Sequence, residues 1–262
     1  SFADSQIAAL STTQIQSFTA TQLAGLDETD MGEFAETQIA AMTATQVQAF
    51  SSTNFAALAD SQVAALTTTQ LAAVSSTNIG AMTETQVAAF TTTQIASLST
   101  SQIRAFDATN LSALDADQTA ALTATQVSSL TSTQLADLEA TDIGELTNTQ
   151  LAALTATQVK TLTSTLLTTL TETQVAAFTA TQIQALTTTN VAELSETQVA
   201  ALTTTQVGAL TTSQLKVLDE TNLAALDATQ FAAINATQIK ALTTTQIAGL
   251  DASNLAELTT TQ

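Results

Sequence analysis

The sequence predicts an all-α solenoid superhelix of very short capped helices, one for each eight-residue repeat. Three observations predict it: an octapeptide period that never slips, a helix-start pattern in nearly every unit, and a slower rhythm of about 3.5 units. Numbered from Ala3, the chain is one continuous repeat domain with 32 full octads over residues 3–258 and a partial unit at 259–262.

Each octad carries the pattern that begins a helix. Position 1 is Thr, Ser, Asp or Asn in all but four octads, and position 4 is Gln with nine exceptions, as in Thr243 and Gln246. This spacing is a capping box, in which the first side chain accepts from the third helical N–H and Gln reaches back to the cap's own N–H. The apolar residues at positions 8 and 5 flank this box as a hydrophobic staple, and they are the predicted core together with Ala at position 7.

Charge placement gives an independent test, because a helix start favours anions and a helix end favours cations. Fifteen of the 23 acidic residues lie at positions 1 or 2, and all four basic residues lie at position 6: Arg104, Lys160, Lys216 and Lys240. A β-solenoid is the alternative, since positions 1, 3 and 5 would share a strand face rich in Thr, Ile and Val. That alternative explains the strict Thr, Ser or Asp at position 3, but not the Gln or the charge polarity.

The exceptions at position 4 form a slower rhythm. They are spaced by 24 or 32 residues and average 28 residues, or 3.5 octads, which predicts a superhelix with about 3.5 octads per turn and one distinct side. Glycine follows three of the exceptions by two residues, at Gly32, Gly80 and Gly144, and predicts a close backbone approach from another turn or another chain. The nine exceptions are therefore candidates for an assembly face: Asp30, Asn54, Asn78, Asn110, Asp142, Leu166, Asn190, Asn222 and Asn254.

Composition excludes most chemistry. The chain has no His and no Cys, so it lacks the commonest general base, thiolates and zinc-thiolate sites, and we expect neither an enzyme nor a cofactor. A net charge of −19 repels nucleic acid, and no apolar run approaches the roughly 20 residues of a membrane span. Calcium is a candidate partner at two acidic clusters, although acids at helix starts need no metal: Asp27, Asp30 and Glu33, and Asp142 and Glu145.

The octad from Leu242 to Gly249 and its variants resemble threonine-rich octapeptide arrays in large bacterial surface or secreted proteins. The resemblance implies an extracellular or cell-surface rod, either a fibre or filament subunit or an adhesin stalk, and it transfers no functional residues. Phe2 already occupies a position 8 and residues 259–262 begin another unit, so we expect a longer array or self-association that covers the ends. The alternative function is a ligand-binding solenoid for ice or a surface glycan, which would use an exposed Thr-rich face.

Overall fold

The computed structural model describes residues 4–250, 252–256 and 258, and within them the chain is all-helical with no strand. The predicted helical solenoid is confirmed, and the β-solenoid alternative is wrong. Phe2 and residues 259–262, on which the expectation about the ends rested, lie outside the described residues. The chain divides into two compact units, residues 1–134 and 135–262, and each is described by itself.

Every helix has four to six residues and belongs to one octad. In unit 1 the helices are α1 (Asp4–Ala8), α2 (Thr12–Ser17), α3 (Ala20–Ala24), α4 (Glu28–Gly32), α5 (Glu36–Ala41), α6 (Ala44–Gln48), α7 (Ser52–Ala56), α8 (Asp60–Ala64), α9 (Thr68–Ala73), α10 (Ser76–Gly80), α11 (Glu84–Ala88), α12 (Thr92–Ser97), α13 (Thr100–Ile103), α14 (Ala108–Ser112), α15 (Ala116–Ala121) and α16 (Ala124–Ser129). The division between the units falls within α17 (Ser132–Asp137).

In unit 2 the helices are α18 (Ala140–Gly144), α19 (Asn148–Ala153), α20 (Ala156–Thr161), α21 (Ser164–Thr168), α22 (Glu172–Ala177), α23 (Ala180–Ala185), α24 (Thr188–Ala192), α25 (Glu196–Ala200), α26 (Thr204–Ala209), α27 (Thr212–Leu215), α28 (Glu220–Ala224), α29 (Ala228–Ala232), α30 (Ala236–Ile239), α31 (Thr244–Ala248) and α32 (Ala252–Ala256).

Helices begin at the predicted capping boxes. At α12 the Thr91 Oγ1 accepts from the Gln94 backbone N–H at 3.2 Å, and the Gln94 Oε1 accepts from the Thr91 N–H at 2.7 Å. Two of the four octads without a typical cap keep half of the box: Ala35 and Ala59 form no side-chain cap bond, yet their N–H groups still donate to the following Gln. The Gln therefore fixes the helix start even where the cap side chain is missing.

Helices end because the next cap begins, and no left-handed residue is needed. At the junction of α2 and α3, Phe18 at position 8 and Thr19 at position 1 are both extended, with φ/ψ of −66°/139° and −75°/153°. No residue in the described part has a positive φ. Two extended residues thus redirect the chain after every turn of helix, a bend that all residue types can adopt.

The core matches the predicted apolar positions. Phe50 at position 8 and Phe55 at position 5 flank the Ser51 cap of α7, and their rings meet edge to face with centroids 5.8 Å apart. This contact is the expected staple between the residue before the cap and the fourth helical residue. Position 7 is largely half-buried and position 6 is largely exposed, as the sequence predicted, but position 4 is also buried.

Turns of the solenoid stack with the predicted period. In unit 1 each helix packs on the helix three octads later, as α6 does on α9, and unit 2 repeats this with α20 and α23. Side-chain bonds from position 4 reach four octads back, because Gln94 bonds Val63 and Leu66. Contacts to the third and the fourth octad together give about 3.5 octads per turn within each unit.

Candidate functional site

The amide at position 4 joins each turn to the turn before it. Gln102 is 2% exposed, and its Oε1 accepts from the Ser99 N–H at 2.8 Å in the capping box. Its Nε2 donates to the carbonyl of Leu71 at 2.7 Å and to that of Val74 at 2.9 Å, which lie 31 and 28 residues earlier. One side chain therefore caps its own helix and satisfies carbonyls at the end of another helix, where the last C=O groups lack partners.

This arrangement, the glutamine ladder, recurs in both units. A Gln at position 4 donates to the carbonyl 28 residues earlier at Gln38, Gln46, Gln62, Gln70, Gln86, Gln94, Gln102, Gln118, Gln126 and Gln134 in unit 1, and at Gln174, Gln182, Gln198, Gln206, Gln214, Gln230, Gln238 and Gln246 in unit 2. Gln14 and Gln22 keep only the cap interaction, and their side chains are exposed.

The asparagine exceptions keep one bond of the ladder. The Nδ2 of Asn54 donates to the carbonyl of Leu26, 28 residues earlier, at 2.8 Å, and has no bond to the carbonyl 31 residues earlier. Asn lacks one methylene relative to Gln, so its amide reaches only the nearer carbonyl. The same single bond is formed by Asn78, Asn110, Asn190 and Asn222.

The other exceptions hold no amide. A carboxylate has no hydrogen to donate, so Asp30 and Asp142 act as acceptors: their Oδ2 atoms accept from the N–H of Asp27 at 3.3 Å and of Glu139 at 2.9 Å. Leu166 is 4% exposed and packs into the core. Asn254, the last exception, is 5% exposed.

The candidate assembly residues therefore point inward. Of the nine, only Asp142 is as much as half-exposed, and the others are buried. If this side of the solenoid contacts another chain, the contact is made by the exposed positions of the same octads. That the side lies between chains stays a prediction.

The glycines that follow the exceptions differ from one another. A Cβ at Gly80 would lie 2.8 Å from the Ala105 carbonyl oxygen in the next turn, so the predicted close approach from another turn is confirmed there. At Gly32 and Gly144 a Cβ would meet nothing within 4 Å. The prediction is therefore wrong at these two glycines for the turns of this chain.

The calcium candidates do not gather into one cluster. Asp27 and Asp30 cap the start of α4 through each other's N–H groups, whereas Glu33 is the residue that ends the same helix. Asp142 and Glu145 likewise belong to the first turn and the end of α18. Within the described residues no group of three or more acidic side chains is placed to hold a metal ion, and calcium binding stays a prediction.

Two exposed carboxylates have shifted titration. The pKa of Glu172 is lowered because the carboxylate accepts a backbone hydrogen bond at its helix start and one from the Thr197 hydroxyl in the next turn. The pKa of Asp227 is lowered by the Thr229 hydroxyl, which donates at 2.7 Å, and by the Gln230 N–H. Residues at position 3 can therefore support a cap or a neighbouring turn, which gives this strict position a physical role.

Exposed hydroxyls do not form one flat rank. Position 1 and position 3 hydroxyls pair within an octad, as in Thr83 and Thr85 at 3.1 Å. With about 3.5 octads per turn, successive pairs are rotated by about 103°, so they face different directions. Nothing in this arrangement favours the ice or glycan alternative.

Comparison with known proteins supports the repeat. The model of the ALTTAQ repeat matches residues 63–100 and 175–212. One match lies in each unit, so the chain is a repeat protein with a helical repeat architecture. No curated protein matches the chain. In the described part of the chain, no helix is long and apolar enough to cross a membrane.

Sequence reasoning missed the second function of the position 4 side chain. The capping box explains the Gln oxygen but not its NH2 group. A signal was present, because Glu serves a capping box equally well and yet never occurs at position 4, which holds Gln, Asn, Asp or Leu. A preference for amide over carboxylate indicates that donors are needed there.

Proposed function

We propose that this chain is a structural repeat protein of the cell exterior, an extracellular rod that forms a fibre or filament subunit or an adhesin stalk. The observation that carries the proposal is the glutamine ladder. Because nearly every octad donates its buried amide to the preceding turn, each turn is completed by its neighbour, and the same joint serves an array of any length.

The surface also suits a spacer. The buried polar side chains are occupied by capping and by turn-to-turn bonds, and the exposed positions are mainly Thr, Ser, Ala and acids. A net charge of −19 keeps copies dispersed at low ionic strength. The exterior location rests on the resemblance of the octads to threonine-rich arrays of bacterial surface and secreted proteins.

Electron microscopy of the purified chain tests the assembly. We expect elongated particles that lengthen with protein concentration. Short, monodisperse particles at all concentrations would contradict the filament version, and the stalk version would then be tested by labelling intact cells of the source with an antibody against the repeat. Absence of surface label on unbroken cells would contradict an exterior location.

Calcium supplies a second measurement. Acidic chains repel one another, so a divalent cation should promote association by reducing that repulsion. We expect light scattering to rise when millimolar calcium is added and to fall again with a chelator. Magnesium at the same concentration is the control for screening alone, and unchanged scattering with calcium would contradict this part of the proposal.

A further inference from the structure

Charge is segregated around the turn in unit 2. Its three basic side chains are all exposed at position 6, and we call Lys160, Lys216 and Lys240 the lysine line. Lys160 and Lys216 are 56 residues apart, which is two turns of 28 residues, so they lie in line along the solenoid. Lys240 follows in α30, which packs on α27 immediately before Lys216.

The lysine line lies on a side without acids. The octads of α19, α20, α23, α26, α27 and α30 contain no Asp or Glu. At about 103° per octad these six octads occupy neighbouring directions around the turn. In the described part of the chain none of the four basic side chains forms an ion pair with a carboxylate, so their charges are free for an external partner.

Acids form a column on the far side. Glu172, Glu196 and Glu220 are exposed, occupy position 2 and are spaced by 24 residues. They begin α22, α25 and α28, which pack on one another in succession, so the three carboxylates lie on successive turns. Around the turn, Glu172 and Glu196 are about 150° from Lys160, and Glu220 is about 100° from Lys216. We call these three residues the glutamate column.

Unit 1 repeats the arrangement independently. Glu36, Asp60 and Glu84 are exposed at position 2, are spaced by 24 residues, and begin α5, α8 and α11, which also pack in succession. Arg104, the only base of that unit, lies about 100° from Glu36 and about 150° from the other two around the turn. The same column and the same opposition of charge therefore occur in two parts of the chain.

We propose that copies of this chain associate side by side, with the lysine line of one copy against the glutamate column of the next. The proposal rests on the assembly proposed above and specifies its lateral contact. Stacked turns of packed helices are roughly 8–10 Å apart. Lys160 and Lys216 are then about 16–20 Å apart and Glu172 and Glu220 about 14–17 Å apart along the solenoid, a difference that flexible lysine side chains can span.

The contact is heterologous, because it joins two different faces. After two copies pair, one lysine line and one glutamate column remain free, so further copies add without closing the assembly. Each exposed ion pair is weak, and stable association therefore requires several pairs along each copy.

Salt should affect this association in both directions. The net charge of −19 repels over long distances, and the screening length is about 30 Å at 0.01 M salt but about 8 Å at 0.15 M. Contact pairs survive at 0.15 M while the long-range repulsion is reduced, and at 1 M the pairs are screened as well. We expect lateral association to be greatest near 0.15 M salt.

The experiment compares variants of the full chain by sedimentation velocity and by particle width in electron micrographs. Lys160→Gln/Lys216→Gln should weaken lateral association at least about tenfold at 0.15 M salt. Ala200→Glu/Ala224→Glu is the matched control, because it makes the same change in net charge at position 6 of α25 and α28, on the acidic side. The control should associate at least as strongly as the parent chain.

A charge swap gives the decisive result. Lys160→Glu/Lys216→Glu and Glu172→Lys/Glu220→Lys should each associate poorly alone and should associate when mixed, with helical circular dichroism unchanged in both. Equal weakening by the control, or a mixture that stays dispersed, would overturn the proposal. Long particles of single width at every salt concentration would also overturn it, but would leave the proposed filament function standing.

Discussion

A single change of amide to carboxylate at position 4 tests the glutamine ladder. Gln102→Glu keeps the size of the side chain and keeps the oxygen that accepts from the Ser99 N–H. It replaces the NH2 group, which donates to Leu71 and Val74, by an acceptor that faces two carbonyl oxygens. The capping box is preserved and only the connection between turns is lost.

The magnitude follows from the burial of the site. Two net hydrogen bonds contribute about 1 kcal/mol each. A carboxylate at this buried position has no cation to pair with, so the side chain folds in its protonated form, which at pH 7 costs up to about 4 kcal/mol for a Glu of ordinary pKa near 4.3. A protonated Glu regains one donor. We therefore expect Gln102→Glu to lower the free energy of unfolding by about 3–5 kcal/mol at pH 7.

The pH dependence fixes the sign. The substituted carboxyl has a raised pKa in the folded state, so its penalty is present above the unfolded pKa and disappears as the pH falls below it. At pH 4 the deficit should shrink to about 1 kcal/mol, the value of the remaining lost hydrogen bond. Gln102→Asn, which imitates the natural exceptions, should also cost about 1 kcal/mol, at both pH values.

Gln22→Glu is the matched control, because Gln22 is exposed and forms only the cap interaction. We expect it to be neutral or slightly stabilising, since a carboxylate at a helix start is favourable. Urea unfolding followed by circular dichroism at pH 7 and pH 4 measures the difference, and hydrogen exchange in α9 and α13 shows whether the loss is local. Equal destabilisation at the two sites, or no recovery at pH 4, would refute the ladder.

Three further predictions follow from particular contacts. Gly80→Ala should destabilise the chain because its Cβ would lie 2.8 Å from a carbonyl oxygen, whereas Gly32→Ala, with open space around it, should stabilise by roughly 0.5–1 kcal/mol; thermal melts compare the two, and equal shifts would contradict the close approach. Ala59→Ser should add a missing cap and stabilise by about 0.5–1.5 kcal/mol in urea unfolding, provided that the new hydroxyl bonds the third helical N–H. The lowered pKa values of Glu172 and Asp227 contribute stability above their unfolded pKa values that is lost as the pH falls through the folded ones, so Glu172→Gln and Asp227→Asn should flatten the acid limb of melting temperature against pH; a limb as steep as that of the parent chain would contradict the two hydrogen-bond networks.

The sequence by itself determined the local structure. A cap at position 1, Gln at position 4 and acids at positions 1 and 2 specify a helix start through interactions within four residues, and the structure begins its helices there. The slow rhythm of the position 4 exceptions also gave the number of octads per turn, because a residue type that depends on direction around a superhelix records its period.

Only the tertiary structure decided what the Gln amide binds and where the exceptions point. The acceptors of Gln102 lie 28 and 31 residues earlier, and no local pattern specifies which carbonyls the stacking of turns brings within 3 Å of its Nε2. For the same reason Gly80 meets a neighbouring backbone while Gly32 does not. Local hydrogen bonding is written in short spacings, whereas contacts between turns depend on how the helices pack against one another, and that arrangement exists only in the folded chain.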